Sequence, residues 1–353
     1  MRTRKLTLLQ SAQQQWRRLT AAPLVVWDVG AVTTRVHVGQ KLVFSQSSCI
    51  ALNISSGQMV SQGDAAYRLL GNSGQHLAVV FPVDRSCIVD SSLARYWLTY
   101  VRTQLWPRRR WFSGLRAPAG ILCLGESVGP ADLRLWKSAL ESSGLATISP
   151  VTGLVGLSWY LNMATADEPC FVLDMGGSQT QIGIIVRGSL FKSKTVGWGG
   201  IALTTMIQTW LLTAYHCQVS WRVAEKLKCT DGSLLASKTG PKKTSIQGKD
   251  PYTQLGMTAI VEVNKLQVMM EESQQELVLF IRQFLASVPA EIATKCLENG
   301  LWIAGGSAQL DGVDSWLSRA LGTPVSRVRD PKTATSMGIA IWAASQRAQR
   351  QKI

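Results

Sequence analysis

Val25-Val26-Trp27-Asp28-Val29-Gly30-Ala31-Val32-Thr33-Thr34 and Val172-Leu173-Asp174-Met175-Gly176-Gly177-Ser178-Gln179-Thr180 are two versions of one loop. Each carries an apolar strand to an aspartate, turns through glycine and hydroxyl residues, and enters a second apolar run, residues 35 to 38 or 182 to 186. These residue types suit phosphate. Glycine lets backbone N–H groups approach oxygens, threonine adds hydroxyl donors, and an aspartate at a strand end can hold Mg2+ through water. A lone Asp-x-Gly after a strand is an ordinary hairpin turn; two copies in one chain point to a nucleotide clamped between related halves. A third glycine signal, Leu301-Trp302-Ile303-Ala304-Gly305-Gly306-Ser307-Ala308, again runs from a buried strand into a tight turn and then a helix-like stretch.

In this order the three segments resemble the phosphate 1, phosphate 2 and adenosine motifs of the actin, sugar kinase and seventy-kilodalton chaperone superfamily. Within it the chain resembles the MreB family of bacterial actins. Phe81-Pro82-Val83-Asp84-Arg85-Ser86-Cys87-Ile88-Val89-Asp90 is similar to that family's "RP-x-x-D-G-V-I-A-D", and Thr239-Gly240-Pro241-Lys242-Lys243-Thr244 to its "G-L-P-R-K". Val288-Pro289-Ala290-Glu291-Ile292 resembles "T-P-P-E-L", and Asp330-Pro331-Lys332-Thr333-Ala334 with Met337-Gly338 resembles "D-P-L-T-A-V-x-x-G". The resemblance implies an α/β, duplicated actin-like ATPase fold: two halves, each a mixed sheet flanked by helices, with ATP and Mg2+ in the cleft between them. It implies a first half over residues 24–150 plus 325–353, with a small subdomain near 42–78. A second half spans 151–324, with its own near 200–255. The expected nucleotide contacts are Asp28, Gly30, Thr33 and Thr34; Asp174, Gly176, Gly177, Ser178 and Thr180; and Gly305, Gly306 and Ser307, with Asp28 and Asp174 facing Mg2+. Glu225 and Lys228, in a segment similar to the family's "A-E-x-x-K" helix, would contact ribose and base; a solvated helical face is the plain alternative.

Composition agrees with a folded chain of more than one domain. At 353 residues and 46% hydrophobic content the sequence can bury two or three ordinary cores, and no run of about 18 uninterrupted apolar residues suggests a membrane span. The alternation of strand-like and helix-like stretches points to α/β units with partly parallel sheets. Seven cysteines without a C-x-x-C pair read as reduced core thiols rather than disulfides or metal ligands. Three scattered histidines suggest no chemistry.

Phosphate hydrolysis needs a side chain that orients or deprotonates a water in line with the γ-phosphate. By resemblance that residue is Asp132, where the family has the glutamate of "V-E-R-R". After Gly129-Pro130-Ala131, an aspartate there is equally a helix N-terminal cap, and its carboxylate is one methylene shorter than glutamate. Further departures are Ser178 and Gln179 within the family's "D-I-G-G-G-T-T-E", Ser149-Pro150 for its "E-E-P", and Gly199-Gly200-Ile201 for its "G-G-D". Nucleotide binding is better preserved than turnover.

Charge is the second large signal, at +15 net. Residues 1–23 (Arg2, Arg4, Lys5, Arg17, Arg18) and 101–118 (Arg102, Arg108, Arg109, Arg110, Arg116) contain no acid and interleave Leu6, Leu9 and Trp16, or Trp106, Trp111 and Phe112. Arginine mixed with tryptophan suits an anionic lipid surface. Both clusters match membrane-binding positions of the resembled family. Nucleic acid is the competing partner, on a pI near 9.8 and the run Trp106-Pro107-Arg108-Arg109-Arg110-Trp111. An organelle-targeting presequence is an alternative for the N-terminus. The expectation is therefore a membrane-peripheral cytoplasmic bacterial actin homologue that forms homopolymers, binds ATP and works with cell-wall elongation proteins in cell shape. The alternatives are a hydrolysis-deficient nucleotide-binding adaptor of the same fold and, third, a small-molecule kinase.

Overall fold

Each of the two loops joins inner strands of a five-stranded sheet in the computed structural model, which describes residues 24–71, 76–106, 119–126, 128–143, 147–235 and 242–350. In the first sheet β1 (Leu24–Val29), β2 (Thr33–Val38) and β3 (Lys41–Ser47) form an antiparallel meander. On its other side β1 runs parallel to β9 (Ala119–Leu124), and β9 to β10 (Thr147–Thr152). The second sheet repeats this order. β11 (Cys170–Met175), β12 (Thr180–Val186) and β13 (Ser189–Val196) form the meander, and β16 (Leu301–Ala304) and β17 (Val325–Arg327) add parallel strands. The central strands are covered on both faces, which is why "VVW" and "CFVL" read as continuous apolar runs rather than alternating ones. The hairpin registers are equivalent too: Asp28 lies opposite Arg35, and Asp174 opposite Gln181.

Each sheet has helices on its faces. Beside the first, α2 (Ser91–Leu105) and α3 (Pro130–Ser142) bury Trp97, Leu98, Trp136 and Leu140 against Trp27, Val36 and Leu122. The α2 start is set by Asp90, whose carboxylate accepts from the N–H groups of Ser92 and Leu93 at 2.8 and 2.9 Å. Beside the second, α7 (Val263–Ala286), α8 (Ala290–Asn299) and α9 (Val313–Leu321) bury Leu277, Phe284, Cys296 and Leu317 with Phe171, Leu173 and Ile303. Smaller units extend both: a three-stranded sheet of β4 (Ile50–Asn53), β5 (Met59–Gln62) and β6 (Leu77–Val80) with α1 (Gly63–Leu69), and α5 (Gly200–Tyr215), α6 (Trp221–Asp231) and the hairpin β14 (Lys243–Lys249)–β15 (Gly256–Glu262). They touch where Tyr67 meets Trp221 edge to face at 6.0 Å and Arg222 donates to the Arg68 carbonyl at 2.8 Å.

The two sheets are joined by α4 (Gly153–Tyr160) and α10 (Ala334–Arg350), which cross so closely that a side chain on Gly338 would meet the Gly156 backbone. Residues Ile339, Ala340 and Ala343 of α10 pack on Val26 and Ile121 of the first sheet, while Ala334 packs with Leu154 and Val172 of the second. Because β17 pairs with β16, the chain returns to the first sheet through α10 and not from residue 325 onward. Among the described residues no helix is long and apolar enough to cross a membrane. Leu6, Leu9, Trp16, Trp111 and Phe112 lie outside the described residues. Trp106 is half-buried against the first core, its backbone N–H closing α2 on Arg102.

Candidate functional site

A hairpin that ends a buried strand in a polar residue puts that residue at the end of the sheet's strands, and here two such ends face each other. A cavity of about 830 Å³ lies between them, within the usual range for ligand pockets, and is lined by Asp28, Gly30 and Thr33 on one side and Asp174, Gly176, Gly177 and Ser178 on the other. The loops approach so closely that a side chain on Gly177 would strike Val32. Gly305, Gly306 and Ser307 close one wall and Glu225 and Lys228 another. Gly305 has φ of +89°, and a Cβ there would come 2.5 Å from Asp174 Oδ1, so backbone conformation and space both call for glycine. A second hollow, of about 920 Å³ beside Trp210 and Trp316, includes none of these residues.

The second loop is braced by its neighbours. The N–H groups of Gly200 and Ile201, at the start of α5, donate to the Gly176 and Gly177 carbonyls at 3.1 and 2.8 Å, and the Ser307 hydroxyl donates to the Gly176 carbonyl at 2.8 Å. Lys228 donates to the Gly200 carbonyl at 2.9 Å, to Thr204 Oγ1 at 2.8 Å and to Glu225 at 2.6 Å; Thr204 also bonds Glu225. That network ties α6 to α5 and holds both charged side chains at the cavity wall. Thr34 and Thr180 lie outside the cavity lining, because successive strand residues point to opposite faces. Thr34 accepts from Trp97 Nε1 at 2.8 Å and lies 2.7 Å from the Ser48 hydroxyl, and Thr180 donates to the Trp198 carbonyl at 2.8 Å.

Asp132 is also outside the lining. At the third position of α3, its Oδ2 accepts from the Gly129 N–H at 3.2 Å, which is a cap contact; burial, reinforced by this carboxylate, pushes the Cys87 thiol up.

Four residues outside the expected set of nucleotide contacts reach the site. Arg35 Nη1 lies 3.4 Å from Asp28 Oδ2, with the two side chains only 14% and 18% exposed. Its signal was the one residue of Thr33–Val38 that is always charged, seven residues after the aspartate. Arg85 and Ser86, both at positive φ (46° and 63°), form the two-residue turn between β7 (Val83–Asp84) and β8 (Cys87–Ile88), where the family motif reads Asp-Gly. The Ser86 hydroxyl accepts from the Gly125 N–H at 3.1 Å and from Gln179 Nε2 at 2.9 Å, while the Arg85 N–H donates to the Ser178 hydroxyl at 3.0 Å, so this turn links the first half to the second loop. Gln179 and Gln181 are 8% and 9% exposed, line the cavity, and each keep a side-chain carbonyl oxygen without a protein partner.

The electrostatics follow from burial. It pushes the Asp28 carboxyl up against the opposing pull of Arg35, and it lifts Asp174 to about 6, opposed by the Thr335 hydroxyl that donates to Asp174 Oδ2 at 2.8 Å and reinforced by Asp28. Among the described residues no three carboxylate, histidine or cysteine side chains form a metal cage. One or two carboxylates beside a phosphate chain is nevertheless the usual donor set for Mg2+, and Asp174, with Oδ1 facing the glycine turn, fits it better than Asp28 beside a guanidinium.

The profile of the MreB/Mbl protein family matches residues 24–351. The cell shape-determining protein Mbl of Bacillus subtilis is 23% identical over 320 residues, which cover 89% of this chain and 93% of Mbl. Among solved structures, MreB 5 of Spiroplasma citri bound to AMPPNP superposes with a TM-score of 0.87 at 19% identity, covering 94% of this chain and 98% of that one. The MamK double helical filament gives 0.75 at 17%, covering 91% and 99%. Both superpositions identify the fold as actin-like.

Proposed function

The chain belongs to the MreB/Mbl protein family, and on that premise we propose that it is a filament-forming bacterial actin homologue in cell-shape determination. In this reading it binds ATP with Mg2+ between its two halves, lies on the inner face of the cell membrane and works with cell-wall elongation proteins. The observation that carries the proposal is the pair of equivalent hairpins whose aspartate ends and glycine turns face one cavity. In the proposed complex the backbone N–H groups of the glycine turns bind phosphate oxygens, Asp174 holds the hydrated metal, and the Gly305 turn passes beside the nucleoside. Bound Mg2+ would neutralise phosphate charge. The relatives' names support cell shape, nucleotide binding and filament formation: Mbl is called cell shape-determining, MreB 5 is bound to a nucleotide analogue, and MamK is a filament.

One observation favours a second reading, a nucleotide-binding adaptor that does not hydrolyse ATP: the Asp132 carboxylate serves its own helix cap and does not line the cavity. Sedimentation of the full chain with ATP, ADP or no nucleotide, with phosphate release followed in parallel, separates the readings. ATP-dependent pelleting supports the filament. Nucleotide binding with neither pelleting nor phosphate release favours the adaptor.

A further inference from the structure

The equivalence of the two hairpins is broken at one position. Opposite Asp174 the register puts the neutral carboxamide of Gln181, whereas opposite Asp28 it puts the guanidinium of Arg35. Arg35 lines the cavity beside the first glycine turn, and its charge acts on both aspartates, lowering the carboxyl of each against the effect of burial. Only one of its nitrogens is engaged by Asp28, at 3.4 Å; Nε is buried and has no partner in the protein. A guanidinium is always charged and presents five N–H groups in a fixed fork that matches phosphate oxygens. The remaining cationic lining residues are Lys228, whose three contacts lie within the α5–α6 network, and Lys332, which is exposed. A single partly unpaired guanidinium therefore shares the cavity lining with two desolvated carboxylates, at the place where a polyphosphate would bring further negative charge.

We propose that Arg35 is a built-in counter-charge for the nucleotide's phosphate chain, binding its oxygens directly, so that this chain holds a nucleoside triphosphate with little dependence on Mg2+. The inference rests on the nucleotide-binding reading of the same cavity and assigns the source of its positive charge. Neutralisation of phosphate falls to a guanidinium fixed on β2 and tethered by Asp28, and the metal, held from the Asp174 side, adds to it rather than being required.

The test is calorimetric titration of the full chain with ATP, in excess Mg2+ and in EDTA. The unmodified protein is expected to lose less than about tenfold in affinity when the metal is removed. Arg35→Gln, which keeps a polar N–H donor on a shorter, uncharged side chain, is expected to lose a further ten- to hundredfold in EDTA, the usual range for a charge-assisted hydrogen bond, and much less in Mg2+. Asp28→Asn guards against a folding artefact, because it removes the tether and leaves the cation: affinity in EDTA should rise. Binding by the unmodified chain that EDTA abolishes, or an Arg35→Gln protein with unchanged metal dependence and a normal melting curve, overturns the proposal while leaving nucleotide binding in place. No binding in either buffer overturns both.

Discussion

His37 and Asp174 should pull the stability of the nucleotide-free protein in opposite directions as pH falls. His37 is fully buried where β2 meets α10, with Nε2 3.1 Å from the Ser336 hydroxyl, and burial lowers its pKa to about 4 against a supporting backbone contact from Gln40; Arg35 lowers it further. Its ordinary value is 6.5, so between pH 6.5 and 4 the unfolded chain takes up a proton that the folded one refuses, and stability is lost as pH falls. Two and a half pKa units correspond to about 3 kcal/mol. Asp174 has the opposite sign: with its pKa raised from 3.8 to about 6, the folded protein takes the proton first, and stability is gained as pH falls from 6 to 4, again by about 3 kcal/mol at most. The two nearly cancel in the unmodified chain, so each must be read by difference. His37→Gln, which cannot titrate, should diverge from the parent by about 3 kcal/mol between pH 7 and 4, a shift on the order of 1 M in the urea midpoint followed by tryptophan fluorescence. Asp174→Asn should diverge the other way. Parallel curves for parent and His37→Gln over the whole range would refute the reasoning.

If Asp132 is only a cap, Asp132→Asn leaves phosphate release within about twofold, since asparagine caps as well as aspartate; a loss of about a hundredfold or more would restore it as the group that orients water. The Tyr67–Trp221 contact across the cleft should slow nucleotide exchange, and Trp221→Ala is expected to speed release of a fluorescent ATP analogue by about two- to tenfold, the worth of an aromatic pair; an unchanged rate in stopped flow would rule the contact out as a latch. Sedimentation with anionic liposomes should fall but persist at high salt, with Trp111→Ala plus Phe112→Ala removing most of the salt-resistant part. Binding to double-stranded DNA without liposome recruitment would move the basic clusters to a nucleic-acid surface.

The chain order by itself determined the duplicated architecture. An apolar run ending in Asp28 or Asp174, a glycine turn and a second apolar run are local features, and locality is what makes a strand, a tight turn and its repetition readable without coordinates. The third glycine turn after Leu301–Ala304 was legible for the same reason. The tertiary structure decided which side chains face the cavity. Thr33 and Thr34 are adjacent and chemically identical, yet one lines the cavity and the other bonds Trp97, because a strand's alternation becomes inside or outside only once a helix covers one face. Arg35 became part of the site only when hairpin register set it against Asp28, and Ser86 only when its turn met a loop more than ninety residues further along the chain. Asp132, assigned by resemblance, is absent from the cavity lining, and its carboxylate accepts from the backbone N–H of Gly129, three residues away. Strand, turn and helix come from short-range propensity, whereas a site at the meeting of two sheets depends on contacts between residues that are distant in sequence.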